Sequence, residues 1–175
     1  MEQKDCIKDL SNEKFDVYIS YASEDRLIAE SIYKELEKMG VNAWFDRRGD
    51  AITLGDPYWK AIESGIHRSA HFMSIITENW VAKQLSETSL KRETKFAQKW
   101  MFECSEDNKN ICLRENYSIP VVVQGRMYNN VEICSTVIEG FGNIGIIPKE
   151  LFVGVNMINL DANTKDYSEF EQINW

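Results

Sequence analysis

The chain has 175 residues, 43 % hydrophobic and 27 % charged, which suits one domain with a buried core and argues against disorder. Its net charge of −8 argues against nonspecific nucleic-acid binding and against an anionic membrane surface, both of which depend on Lys/Arg fields. No run approaches the ~20 apolar residues of a membrane helix, and the polar start MEQKDCIKDLSNEKF lacks an apolar h-region, so a cytoplasmic protein without signal peptide is expected.

Residues 1–13 read as a polar lead-in and 14–175 as one domain, with no repeat or flexible linker. Phe15 to Tyr21 (FDVYISY) is short and β-rich, a buried strand. From Asp25 to Met39 the spacing turns helical, with Ile28, Ile32, Leu36 and Met39 on one stripe and Gly40 as the stop. Val41 to Phe45 is a second strand, and Asp46 to Gly55 a loop. Asp56-Pro57 starts a helix, Asp as N-cap and Pro at the first position, running to about Ile66.

His71 to Thr77 is a third strand and Ser86 to Cys104 a long helix. Ser118 to Val123 (SIPVVV) is a continuous apolar strand, as expected where both faces are covered. Residues 124–150 read as irregular. Val155 to Leu160 is a fifth strand, and Asp166 to Trp175 a closing helix. Alternating strands and helices predict an α/β fold: a five-stranded parallel sheet with helices on both faces and ligands outside the carboxyl ends of its strands.

Several chemistries find no support. There is no GxGxxG, no P-loop and no GxSxG elbow. His67 and His71 straddle a helix-to-strand junction without a completing ligand set, so no metal site is expected. The four cysteines form no CxxC pair and read as reduced thiols. SYASED is similar to the Ser-rich phosphate loops of flavodoxin-like folds, although Ser near a helix start is commonly a cap.

The helix from Ser86 carries one residue that breaks its pattern. Leu90, Ala97, Met101 and Cys104 form its apolar stripe, and Glu93 lies within that stripe. The positions three and four away are Ser89, Leu90, Phe96 and Ala97, so no intrahelical basic partner explains it. Glu87, by contrast, has Lys91 four residues on. An unpaired carboxylate on a semi-apolar face marks a candidate site.

Taken in order, FDVYISYASED, VNAWFD, the segment LGDPYWKAIESGIHRSAHFMSIIT and the SIPVVV and VNMINL strands resemble TIR (Toll/interleukin-1 receptor) domains from about Lys14 onward. The resemblance implies a flavodoxin-like TIR fold and, as in many bacterial members, cleavage of NAD+. Other members only scaffold signalling complexes. It implies Glu93 as the catalytic residue, in a segment similar to the family's WxxxE, with Ser89 where the aromatic stands. Tyr21, Trp59 or Trp80 would then stack on nicotinamide. Further expected contacts are Ala22 and Ser23 after the first strand and Asp46 after the second. Backbone N–H groups or Arg47 and Arg48 are expected at phosphates, and Thr53, Leu54 and Gly55 in the so-called BB loop over the substrate. NAD+ would be substrate, with no other cofactor. Self-association through the BB loop and neighbouring helices would complete the site, and bacterial anti-phage defence is the implied setting. A non-enzymatic scaffold and a flavodoxin-like nucleotide or flavin binder are the alternatives.

Overall fold

A computed structural model describes residues 14–46, 58–102 and 116–175. Within these, strand β1 (Phe15–Ser20) is followed by a short 3-10 turn at Ser23–Asp25 and helix α1 (Arg26–Lys38). Strand β2 (Ala43–Trp44) and helix α2 (Tyr58–His67) come next, then strand β3 (Ser69–Ile76). Helices α3 (Glu78–Gln84) and α4 (Ser89–Phe102) lead to strand β4 (Ser118–Val123). A small hairpin of β5 (Met127–Tyr128) and β6 (Val131–Glu132) precedes helices α5 (Ser135–Asn143) and α6 (Lys149–Phe152). Strand β7 (Ile158–Leu160) and a 3-10 segment at Ser168–Gln172 close the chain.

The main sheet has five strands in the order β2-β1-β3-β4-β7, every pair parallel. Alternation along β1 splits the core. Val17 and Ile19 face α1 through Ala29, Ile32 and Leu36, while Tyr18 faces the side holding α2, α3 and α4. On that second face Trp44, Tyr18, Phe72 and Tyr117 stack in a row, with centroid spacings of 4.6, 5.6 and 6.4 Å. Helix α2 lies directly on the end of this row at Gly65, where an added Cβ would sit 2.6 Å from the Trp44 ring. Trp44 is held by Tyr18 and has no room to yield. Gly65→Ala is therefore expected to cost about 1–3 kcal/mol, read as a lower midpoint in urea at unchanged slope.

The α/β reading and the five parallel strands match. Several boundaries and elements do not. The expected helix from Ser86 begins at Ser89, and α3, which the sequence reading did not anticipate, precedes it. Thr77 caps α3 by accepting from the Trp80 amide at 3.2 Å, and Thr88 caps α4 by accepting from the Lys91 amide at 3.2 Å. Residues 124–150 are ordered rather than irregular. Asn129 and Asn130 both adopt positive φ (48° and 62°), as a two-residue type I′ hairpin turn requires. Gly142 lets α5 meet the α6 side, since a Cβ there would lie 2.7 Å from Val153 Cγ2. The closing helix is only a five-residue 3-10 segment that buries Phe170. The lead-in 1–13, the Asp56-Pro57 helix start and Cys6, Cys104 and Cys112 lie outside the described residues. Among those described, no helix is long and apolar enough to cross a membrane.

Candidate active site

The chain leaves β1 toward β2 on one side and returns to β3 on the other, so the carboxyl edge near β1 is the crevice where such sheets receive ligands. A cavity of about 130 Å³ opens there. Tyr18 and Tyr21 come to it from β1 and its end, Asp46 from the end of β2, Lys83 from α3, and Ser89, Leu90 and Glu93 from the first turns of α4.

Glu93 is buried in this cavity, 7 % exposed, as its place in the α4 stripe requires. Ser20, the last residue of β1, donates its Oγ hydrogen to Glu93 Oε2 at 3.0 Å, and the Tyr18 hydroxyl also hydrogen-bonds the carboxyl. Neither partner is a cation. Burial pushes the Glu93 carboxyl up from 4.5 to about 8; the Ser20 bond opposes this and the nearby Asp46 carboxylate adds to it. Burial likewise raises the Tyr18 hydroxyl, with the Glu93 charge second. At neutral pH the Glu93 carboxyl is therefore mostly protonated, and a cation bound beside it would favour the carboxylate.

Of the residues expected from sequence, Tyr21, Ser23, Asp46 and Glu93 line one cavity. Tyr21 donates to Asp46 Oδ1 at 2.5 Å, tying the end of β1 to the end of β2. Trp59 is set aside, in an adjoining cavity of about 460 Å³ that shares Tyr58, Thr88 and Ser89 with the first. The Arg92 guanidinium stacks 3.8 Å over its ring, and its Nε1 donates to Glu63.

Two residues need correction. Trp80 is fully buried with its ring edge-on to Phe152, because it occupies the core-facing side of α3, so it does not reach the cavity. Ala22 is buried in the core behind the loop and is not among the lining residues. Arg47, Arg48, Thr53, Leu54 and Gly55 lie outside the described residues. Sequence reading did not single out Tyr18, Ser20, Tyr58 or Lys83. Tyr18 and Ser20 were legible in principle, since they share the β1 face that meets α4. His67 and His71 serve elsewhere: His67 lies against the Trp100 ring, and His71 Nδ1 hydrogen-bonds the Asn116 carbonyl at 2.7 Å.

Behind the cavity, buried Asp25 gathers the three carboxyl-edge loops. It accepts from Thr77 Oγ1 at 2.5 Å, Asn79 Nδ2 at 3.0 Å and Arg126 Nη2 at 3.1 Å. Arg126 Nε also donates to Glu78 Oε2 at 2.7 Å.

Comparison with known proteins agrees with this architecture. The TIR domains of the activated Roq1 resistosome superpose with a TM-score of 0.63 at 12 % identity, covering 91 % of this chain and 96 % of that one. The TIR domain of the Toll-related receptor TRR-2 from Hydra magnipapillata gives 0.54 at 15 %, covering 91 % and 98 %. In sequence, the chain is 27 % identical over 89 residues to the NAD(+) hydrolase TcpC of Escherichia coli O6:H1 (strain CFT073), which takes in 50 % of this chain and 28 % of that protein. The chain thus spans under a third of the length of that curated relative. A family model, the TIR domain, matches residues 17–134. With the parallel sheet in the order β2-β1-β3-β4-β7 and its motifs in place, the chain belongs to the TIR domain family.

Proposed function

We propose that this TIR domain cleaves the bond between nicotinamide and ribose in NAD+, with Glu93 as its catalytic residue. The observation that carries the reading is a buried carboxyl at the carboxyl edge of the sheet with no cationic partner among the described residues. The similarity to a relative named NAD(+) hydrolase supports it.

The chemistry needs only one carboxylate. The nicotinamide of NAD+ is a pyridinium. When its bond to ribose breaks, the electron pair goes to the ring nitrogen and nicotinamide leaves neutral, so no general acid is required, unlike ordinary glycoside cleavage. The ribose carbon becomes oxocarbenium-like, and a carboxylate in a water-poor site stabilises that charge. Water then attacks, losing a proton and giving ADP-ribose; attack by a base of the same molecule gives a cyclic isomer. Ser20 and Tyr18 hold the Glu93 carboxyl in place for this role. With Ser89 in place of the family's aromatic, Tyr18, Tyr21 and Tyr58 are the rings that line the same cavity among the described residues. Incubating the protein with NAD+ and identifying products by mass tests the reading. Nicotinamide with ADP-ribose or its cyclic isomer is the expected result, and intact NAD+ at high protein concentration would refute it.

Self-association is the second element of the proposal. Leu27 and Ile144 stand 78 % and 71 % exposed, and Met127 and Val131 are exposed on the hairpin, apolar side chains that a second copy could cover. Copies joined through such faces and the loop after β2 would assemble the complete site, in keeping with a bacterial defence role. Specific activity is then expected to rise with protein concentration. A value independent of concentration over a hundred-fold range would argue for a monomeric enzyme.

A further inference from the structure

Lys83 is the one cation among the described residues that line the Glu93 cavity. It projects from α3 and reaches back to the segment after β1. Its Nζ donates to Ser23 Oγ at 2.9 Å and pairs with Glu24 Oε2 at 2.8 Å. Ser23 Oγ in turn donates to Glu24 Oε2 at 3.1 Å. The three form a closed triangle at the cavity wall, in which a cation and a hydroxyl together grip one carboxylate.

We propose that Lys83 and Ser23 are the seat for a phosphate of the substrate, and that Glu24 is an intramolecular stand-in that a phosphate displaces. The proposal rests on the NAD+-cleaving reading and adds to it the residues that bind the pyrophosphate of a dinucleotide. The net charge of −8 repels an anionic ligand at long range, so attraction has to come from a local cation beside the reacting carboxyl. Both contacts fall on Glu24 Oε2, and a carboxylate oxygen is the nearest side-chain equivalent of a phosphate oxygen. Glu24 can also leave. Its side chain is 52 % exposed and Lys83 27 %, and an exposed pair of this kind holds by about 0–1 kcal/mol. The pyrophosphate of a dinucleotide carries two negative charges and four non-bridging oxygens against the one charge and two oxygens of Glu24, so exchange favours it. A plain surface ion pair between α3 and the β1 loop makes opposite predictions for Glu24.

Kinetics of nicotinamide release from NAD+ separate the two. Lys83→Met is expected to raise KM about ten-fold with kcat within two-fold, one charge-assisted hydrogen bond net of the pair it replaces. Lys83→Arg should recover most of that loss. Glu24→Gln should lower KM about three-fold by vacating the seat. With nicotinamide riboside, which has no phosphate, wild type and Lys83→Met should share one KM. An unchanged KM for NAD+ in Lys83→Met, or an equal rise for the riboside, would overturn the phosphate seat while leaving the NAD+-cleaving reading intact. If the wild-type protein releases no nicotinamide, that reading fails by itself, and the seat is judged by calorimetric binding of ADP-ribose. Ten-fold weaker binding by Lys83→Met supports it, and equal or absent binding by both proteins overturns it.

Discussion

Glu93→Gln is expected to abolish nicotinamide release and, in the same protein, to raise the melting temperature. The two effects share one cause. The carboxyl sits where a negative charge is useful in the transition state and costly in the empty fold. Loss of that charge should reduce turnover at least about a hundred-fold, as removal of a preorganised electrostatic group does. Activity within a few-fold of wild type would remove Glu93 from the mechanism. Gln keeps the size and still accepts from Ser20, so the packing between β1 and α4 survives.

The stability half follows from the raised carboxyl. Between pH 4.5 and about 8 the unfolded chain has lost this proton while the folded chain keeps it. The folded state binds more protons in that window, so Glu93's contribution to stability is fully present below 4.5 and is lost as pH rises through about 8. At pH 7 the accumulated cost is on the order of 3 kcal/mol. Gln removes it, which for a chain of this size corresponds to a rise in Tm of roughly 5–10 °C, growing toward pH 8. A lower Tm for the Gln variant would mean that the site holds its carboxyl favourably. The same ionisation sets the rate. kcat/KM should climb about ten-fold per unit up to pH 8 and then level, while the kcat profile turns at lower pH because a bound pyridinium favours the carboxylate. Profiles flat from pH 6 to 9 would contradict a neutral resting acid.

Asp25→Ala should be the most damaging substitution for the fold outside the hydrophobic core. It strips the acceptor from Thr77, Asn79 and Arg126 at once, in a place only 3 % exposed. Breaking such a buried charged network by one partner costs about 3–5 kcal/mol, or about 10 °C in Tm for this length. Arg126→Met should cost less, because Arg126 is one-third exposed and Asp25 keeps two donors. In the Asp25→Ala background the Arg126 change should cost almost nothing further; full additivity would show that the two do not act as a unit. Because Asp25 fixes the segment that carries Ser23 and the start of the helix that carries Lys83, its loss should also blunt activity.

What could be read in advance divides along physical lines. β4 was legible to its ends because six consecutive apolar or small residues in a central strand admit one interpretation. Glu93 stood out because a carboxylate within an apolar stripe contradicts the helix around it. The break at Thr88 was hidden, since Ser86 and Thr88 are both good caps and only packing selects between them. α5 was hidden by Gly140 and Gly142, which lower helix propensity, although Gly142 is needed for contact with Val153 on the α6 side. Trp80 was misassigned because its helix, α3, was not anticipated, and core contact with Phe152 decides which way the ring faces. Ser20, Tyr58 and Lys83 are joined to Glu93 only by tertiary approach, from 73, 35 and 10 residues away in sequence.

Ser89 has a consequence for chemical selectivity. The resemblance sets an aromatic residue at this position in the family's segment. Here a hydroxymethyl group takes its place, and the small cavity at Glu93 shares Ser89 with the larger space beneath Trp59 and Arg92. On the NAD+-cleaving proposal, a pyridine carrying a bulky substituent is expected to extend sideways through this gap, and its turnover against that of NAD+ measures the opening. Inhibitors or alternative bases built to use that opening would distinguish this protein from other TIR domains, because what they read is the absence of a side chain.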